Sequence, residues 1–231
     1  MTDSGAQYRS SGLSAKEEPL RSVVRIFPLL FGLLIGTAPA FAVLVGDKPA
    51  PVMMVDKLHT ALLDNMKQGA EYDFAERKEK IAPVVHEVFD LETMMRVSVG
   101  SGWQKLSEDE RKKLTEAFAG WTIATYASQF KSWNGEQFTV TAFSDPEKPD
   151  VMVNSEIKPK SGKTTALNYR LRQKPTEKND GPWQVVDILF AGAVSQLALR
   201  RADFAAVFTK GGAPALIAHL QAMTDKLETA G

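Results

Sequence analysis

The sequence predicts a single α+β domain, with helices packed on a curved, four-stranded antiparallel sheet. Three observations carry that expectation. Helical periodicity runs from residue 51 to about residue 133 and returns after residue 195. Between those stretches the apolar pattern has a period of two, in four short runs. The connections between the runs, DPEKPD, KPKSG and KPTEKNDGP, are polar and hairpin-like, as in an antiparallel meander.

Each element has its own signals. Pro51 suits a first helical position, and Val52, Val55, Leu58, Leu62 and Met66 share one face of a helix over 51–68 that Gly69 ends. Asp73 and Glu76 form a capping box for a second helix carrying Phe74, Ile81, Val84, Val85, Val88 and Phe89, with Pro83 expected to kink or divide it. Asp90 is placed to cap a short helix from Leu91 to Val99, closed by Gly100. Gly100-Ser101-Gly102-Trp103 reads as a turn. Ser107 and Glu110 form a second capping box, opening a long helix to about Trp133, with Asn134-Gly135 as the stop.

The four strands are expected at 138–143, 151–157, 165–172 and 183–190. The third alternates Leu167, Tyr169 and Leu171 with Asn168, Arg170 and Arg172, so one of its faces is wet. The fourth is apolar on both faces. Strict alternation sets Trp183, Val185, Asp187 and Leu189 against Val186, Ile188 and Phe190, which calls for cover on both sides. Two helices follow, Ser195 to Lys210 and Pro214 to Leu227, separated by Gly211-Gly212.

Composition narrows the function classes. The 28 basic and 28 acidic residues cancel, so no basic surface points to nucleic acid. Without cysteine there is no lipoprotein anchor, disulfide, thiolate metal site or cysteine nucleophile. Arg21 and Arg25 precede the apolar run 26–36, which is followed by Ala38-Pro39-Ala40 and Ala40-Phe41-Ala42, both of the small-x-small form cut by signal peptidase. The run falls short of the roughly 20 residues that span a bilayer. Residues 1–42 are therefore expected to be a signal peptide cleaved near Ala42, and residues 43–231 the exported domain, in the periplasm.

No catalytic constellation emerges. His59, His86 and His219 are far apart, and His86-Glu87 lacks the second histidine of a zincin helix because Asp90 stands there. Each histidine is expected at the surface or in a cap. Ser195 follows Gly192-Ala193-Val194, not the spacing of a nucleophile elbow, so it is expected to cap the following helix. Asp187 is the one polar residue among Trp183, Val185 and Leu189. It would serve as a general base in an enzyme, or as a structural acceptor for nearby backbone, Arg200 or Arg201. No partner acid, base or metal ligand accompanies it, which makes the structural role the expectation for Asp187 and Ser195. Arg200, Arg201 and Asp203 read as a solvated helix face by default, with a phosphate clamp or a partner contact as alternatives.

Large and flexible apolar residues are expected to gather where helices meet the sheet. By strand parity and helical face they are Met94, Met95, Val99, Trp103, Trp121, Tyr126, Phe130, Tyr169, Leu171, Val186 and Ile188. Such a set fills an ordinary core. It also suits an acyl or polycyclic pocket, in which methionine supplies adaptable walls.

Several motifs, in order, resemble the MlaC family of periplasmic lipid shuttles. They are Phe89-Asp90 with Met94, Gly100 or Gly102 followed by Trp103, Leu106-Ser107 with Arg111, and Tyr126. The series continues with Trp183, Val185, Asp187, Gly192, Ser195, Arg200 or Arg201, Asp203-Phe204, Gly211 and Leu216-Ile217 to Leu220. Two residues stand between Gly192 and Ser195 where MlaC-like chains usually have one. The segment SQLALRRADF is similar to the hopanoid-associated HpnM branch instead.

The resemblance implies a carrier without enzymatic activity or cofactor, holding lipid tails between sheet and helices. Its cargo would be hopanoid or phospholipid. Its partner would be an inner-membrane transporter, RND-type and HpnN-like or ABC-type and Mla-like, reached through transient membrane contact. The alternatives are a non-catalytic scaffold subunit of an envelope lipid transporter and an enzyme of hopanoid metabolism using Asp187.

Overall fold

A computed structural model describes residues 48–69, 71–144, 149–177 and 180–230. The expected signal segment lies outside them. Helix α1 spans Ala50–Lys67, α2 Phe74–Val88 and α3 Leu91–Val99. A 3-10 segment, Gly100–Lys105, takes the place of the simple turn expected there and leads to α4, Glu108–Gln129. The strands are β1 Gln137–Phe143, β2 Asp150–Lys158, β3 Thr165–Gln173, β4 Trp183–Phe190 and β5 Val194–Ser195, and α5 is Gln196–Ala230.

Local chemistry accounts for most boundaries. Asp73 accepts from the Glu76 amide at 2.8 Å while the Glu76 carboxylate accepts from the Asp73 amide at 2.8 Å. Ser107 and Glu110 repeat the exchange at the start of α4. Two boundaries differ from expectation. Helix α2 continues through Pro83 as one element, because Pro83 and Glu79 both face water, and water satisfies the carbonyl that the ring leaves unbonded. Helix α4 stops at Gln129 and not near Trp133. Phe130 leaves helical geometry, and the Lys131 carbonyl crosses the end of α1 at Gly69.

Helix α5 contains non-helical geometry at Gly211 and Gly212, the latter at φ 65°, so it is two helical stretches sharing one break. Pro214 begins the second stretch, as its fixed φ and missing donor favour.

The sheet order is β1-β2-β3-β4-β5, antiparallel throughout. There are five strands and not four: the chain reverses after β4 and pairs Ser195 with Leu189 and Val194 with Phe190. The reversal uses Ala191 at φ 52° and Gly192 at φ 78°. A positive φ costs an alanine more than a glycine, so part of this turn is strained.

A β-bulge changes the parity of β4. Leu171 pairs with Val185 but Arg170 pairs with Asp187, leaving Val186 without a partner in β3. Beyond the bulge, Ile188 pairs with Tyr169. Val185 and Ile188 therefore share the face of Leu171 and Tyr169, where strict alternation had put them on opposite faces. Val186 is buried but stands outside the main apolar cluster. Cover is also incomplete at the end of the strand, where Phe190 is 45% exposed.

The resulting cross-strand rows are Val151–Leu171–Val185 and Val153–Tyr169–Ile188. Helix α1 lies over them and touches β1, β2 and β4, while α2 and α4 pack behind it and α5 joins α3 and α4. The opposite face carries Arg170 and Arg172, with Arg172 forked onto Asp150 at 2.6 and 2.8 Å. Below its bulge, the outer edge of β4 is taken by the α2–α3 joint. There Phe89 bridges Val185, and the Asp90 amide donates to the Val185 carbonyl at 3.0 Å.

Arg77 fastens α2 to α4. Its buried side chain donates to the Ala127 carbonyl at 3.1 Å and to the Tyr72 carbonyl at 2.6 Å. Nearby, a Cβ on Gly69 would lie 1.7 Å from the Lys131 carbonyl oxygen. Gly69→Ala is expected to lower stability by about 1–3 kcal/mol through forced backbone displacement, measured by urea unfolding against wild type.

Candidate functional site

Between helices and sheet runs a row of aromatic rings. Phe89 lies 5.7 Å from Tyr126, Tyr126 stacks on Phe130 at 5.8 Å, and Phe130 lies 6.3 Å from Phe138. Phe138 stacks on His59 at 4.4 Å, and His59 meets Tyr169 edge-on at 5.4 Å. The row draws on the end of α2, α4, β1, α1 and β3. A second cluster, Phe118, Trp121 and Phe204, joins α4 to α5 at ring separations of 5.5 to 6.3 Å.

The residues expected to line an apolar pocket fall as follows. Met94, Met95, Val99, Trp103, Trp121, Tyr169 and Leu171 are buried in one continuous cluster. Tyr126, Phe130 and Ile188 pack against it while keeping accessible surface, and Val186 stands apart at the bulge. Trp103 is held by Arg111, whose guanidinium lies 5.8 Å from the ring centroid and donates to the Trp103 carbonyl.

His59 is a core residue, and here the expectation of a surface or capping histidine fails. It is 5% exposed, and its Nε2 is hydrogen-bonded to the Tyr169 hydroxyl at 3.1 Å. Burial lowers its pKa to about 4, against a smaller opposing pull from Asp56. The signal was available in the sequence. Position 59 is four residues after Val55 and three before Leu62, on the apolar stripe of α1. His86 is exposed and His219 half-buried against Phe204.

Asp187 and Ser195 meet at the start of α5. Asp187, 2% exposed, accepts from the Ser195 hydroxyl at 2.7 Å and from the Leu197 amide at 3.0 Å. The Ser195 oxygen in turn accepts from the Ala198 amide at 2.9 Å. Two orphan donors of the helix are thereby satisfied, and both Asp187 oxygens are occupied.

Arg200 lies one turn further along. Its guanidinium covers Trp121 at 4.9 Å and Phe118 at 5.8 Å. Burial pulls its pKa below the ordinary arginine range, opposed by Tyr126 and Asp187. Burial likewise raises the Tyr126 phenol, opposed by Arg200, and raises Tyr169 well above its usual value, with Tyr126 adding to the rise. Among the described residues no group of three or more metal-ligating side chains occurs. No described helix is long and apolar enough to cross a membrane.

The family model for the MlaC protein matches residues 56–222, from α1 through most of α5. The chain belongs to the MlaC family. Among solved structures it is similar to the phospholipid-binding protein from Ralstonia solanacearum, determined in complex with a phospholipid. The TM-score is 0.65 at 21% identity, covering 77% of this chain and 97% of that one, so the two share a fold. A search of the curated proteins returns no match.

The MlaC-like motifs are the joints of this architecture. Phe89-Asp90 splices the α2–α3 corner onto β4, and Trp183-x-Val185-x-Asp187 is β4 itself. Gly192 and Ser195 make the reversal and cap that launch α5.

Two predictions follow from this chemistry. Asp187→Ala is expected to cost about 3 kcal/mol and Ser195→Ala about 1 kcal/mol in urea unfolding, because the first leaves buried donors unsatisfied and the second removes a cap. For His59, the folded pKa of about 4 lies below the unfolded value near 6.5, so the unfolded state binds the extra proton first. Its contribution is intact above pH 6.5 and falls by about 3 kcal/mol as pH drops from 6.5 to 4, and His59→Gln should flatten the stability–pH curve in that window.

Proposed function

We propose that this chain is a non-enzymatic lipid carrier of the periplasm, holding the apolar part of its cargo between the sheet and helices α1, α3 and α4. The observation that carries the reading is the aromatic row through Tyr126, Phe130, Phe138 and Tyr169, in a layer rich in methionine and poor in paired titratable groups. Membership of the MlaC family supports it, as does the phospholipid-binding neighbour of the same fold.

The physics favours such a protein. Each methylene of a lipid chain exposed to water costs about 0.8 kcal/mol, so a free long-chain lipid does not cross an aqueous compartment at a useful rate. Met94, Met95 and the rings around Tyr126 replace that water, and methionine adapts to chains of different shape. Asp187 serves the cap and not catalysis, since both its oxygens are engaged at the start of α5.

In this reading residues 1–42 direct export and are removed near Ala42. The cargo is phospholipid or hopanoid, the latter suggested by the likeness of SQLALRRADF to the HpnM branch. The carrier would exchange lipid with an inner-membrane transporter of the ABC or RND type. The test is mass spectrometry of lipid extracted from the mature chain, purified from a periplasmic fraction without detergent. Stoichiometric phospholipid or hopanoid is the expected result. Protein that carries no lipid and takes none up from vesicles would overturn the carrier.

A further inference from the structure

One end of the sheet gathers exposed apolar groups and lysines from segments far apart in the chain. Strand register places them together. Gln137 at the start of β1 stands opposite Lys158 at the end of β2, Ile157 opposite Thr165 at the start of β3, and Leu167 opposite Phe190 at the end of β4. The β4–β5 reversal lies against the same end, since a Cβ on Gly192 would meet Ala166 at 3.6 Å. The turn before β1 closes on it from the other side, with Gly135 against Lys160.

Apolar groups come to the surface at both corners of this end. Leu167 and Phe190 lie two residues beyond the Tyr169–Ile188 pair, so they continue the helix-covered face of the sheet. Phe190 is nevertheless 45% exposed, as is Val194, its partner in β5. Ala191 and Ala193 between them are exposed as well, and no charged residue stands between Asp187 and Arg200. Across the sheet, Trp133 is 48% exposed and lines a surface pocket with Leu63, Lys67 and Phe138, the last a member of the aromatic row.

Lysines lie between and beside these groups. Lys158, Lys160 and Lys163 fall within the β2–β3 connection and its edge, Lys67 lies over the Trp133 ring at 5.8 Å, and Lys131 precedes that ring by two residues. All five are exposed, and none forms an ion pair among the described residues. The carboxylates on these strands and turns are Glu136, which accepts from the Asn134 amide, and Glu156. In a chain whose formal charge is zero, the positive excess here is local.

The composition selects the partner. Protein interfaces favour arginine and are depleted in lysine. Tryptophan and lysine around an uncharged apolar tip suit the boundary between water and a bilayer, where rings and lysine stems lie among head groups and the ammonium groups reach their phosphates. An anionic surface also supplies the counter-charge that the five lysines lack.

We propose that this end of the sheet docks the protein on an anionic lipid surface, with Phe190, Val194 and Trp133 entering the head-group layer and Lys158, Lys160 and Lys163 holding its charge. The assignment goes beyond the carrier reading, because it names a docking surface and its partner whatever the apolar layer carries.

The test is co-sedimentation of the mature chain with vesicles of dioleoyl phosphatidylcholine, alone or mixed with dioleoyl phosphatidylglycerol. Wild type is expected to bind the anionic vesicles, to bind the neutral ones weakly, and to be released by salt. Phe190→Thr with Val194→Thr, and separately Lys160→Gln with Lys163→Gln, should each weaken binding about tenfold. Lys105→Gln with Lys112→Gln removes equal charge beside the start of α4, at the opposite end of that helix from Lys131, and should leave binding unchanged.

Wild type that ignores anionic vesicles overturns the proposal. So does a control variant that weakens binding as much as the Lys160 and Lys163 pair, or a pair of site variants that bind like wild type. The lysine variant alters only exposed, unpaired side chains, so it decides the matter even if the apolar variant fails to fold. Wild type that binds native membrane vesicles but not vesicles of their extracted lipids has a protein as its partner, which also overturns it. Lipid uptake from the same vesicles separates the two readings: binding without uptake overturns the carrier and leaves the docking surface standing, whereas uptake without binding overturns the docking surface alone.

Discussion

Asp187 sits midway along β4, against the first turn of α5, with both its oxygens hydrogen-bonded in a nearly sealed environment. A carboxylate so placed would be costly without those donors, and the helix supplies them from its first turn. The exchange does more than settle a local charge. It fixes where α5 begins and the direction in which it leaves the sheet. That direction brings Phe204 against Phe118 and Trp121, and lays Arg200 over the same rings. The closure of the C-terminal helix over α4 thus depends on one buried acceptor and the strained reversal before it.

The interior divides into two kinds of polar group. Some are consumed by the architecture: Arg77 ties α2 to the end of α4, His59 pairs with Tyr169, and Ser155 donates to the Leu167 carbonyl across the sheet. Others are left over within it: the Thr122 hydroxyl and the remaining amino group of Arg77 are buried without a partner among the described residues. Asp187 and Ser195 belong to the first kind, spent on the cap of α5.

Local signals in the sequence located most of the elements well. Both capping boxes, the Asp90 cap, the hairpin connections and the Gly211-Gly212 break depend on contacts within a few residues, so composition and spacing expose them. Errors arose where a distant partner decided the outcome. The end of α4 is set by the passage of Lys131 against Gly69, about sixty residues earlier in the chain. The short fifth strand exists only because β4 offers an open edge beyond its bulge. His59 was visible on the apolar stripe of α1, but what makes it tolerable there is a ring from β1 and a hydroxyl from β3.

By itself, the sequence determined the class of this protein: period and turn chemistry act over short range, and they required helices, a meander and helices again. It also determined the residue types of the interior, because apolar side chains must leave water wherever they end up. The tertiary structure decided how they are arranged. One bulge at Val186 turned Ile188 toward Tyr169 and left Val186 outside the main cluster, a change that alternation along a strand cannot reveal because register is set by the neighbouring strand. The same holds for Arg200. Its neighbours in sequence mark it as one cation on a helix face, and only the packing of α5 on α4 places it over Trp121. Charge is written in the sequence, but the environment that gives a charge its use is made by segments that meet only on folding.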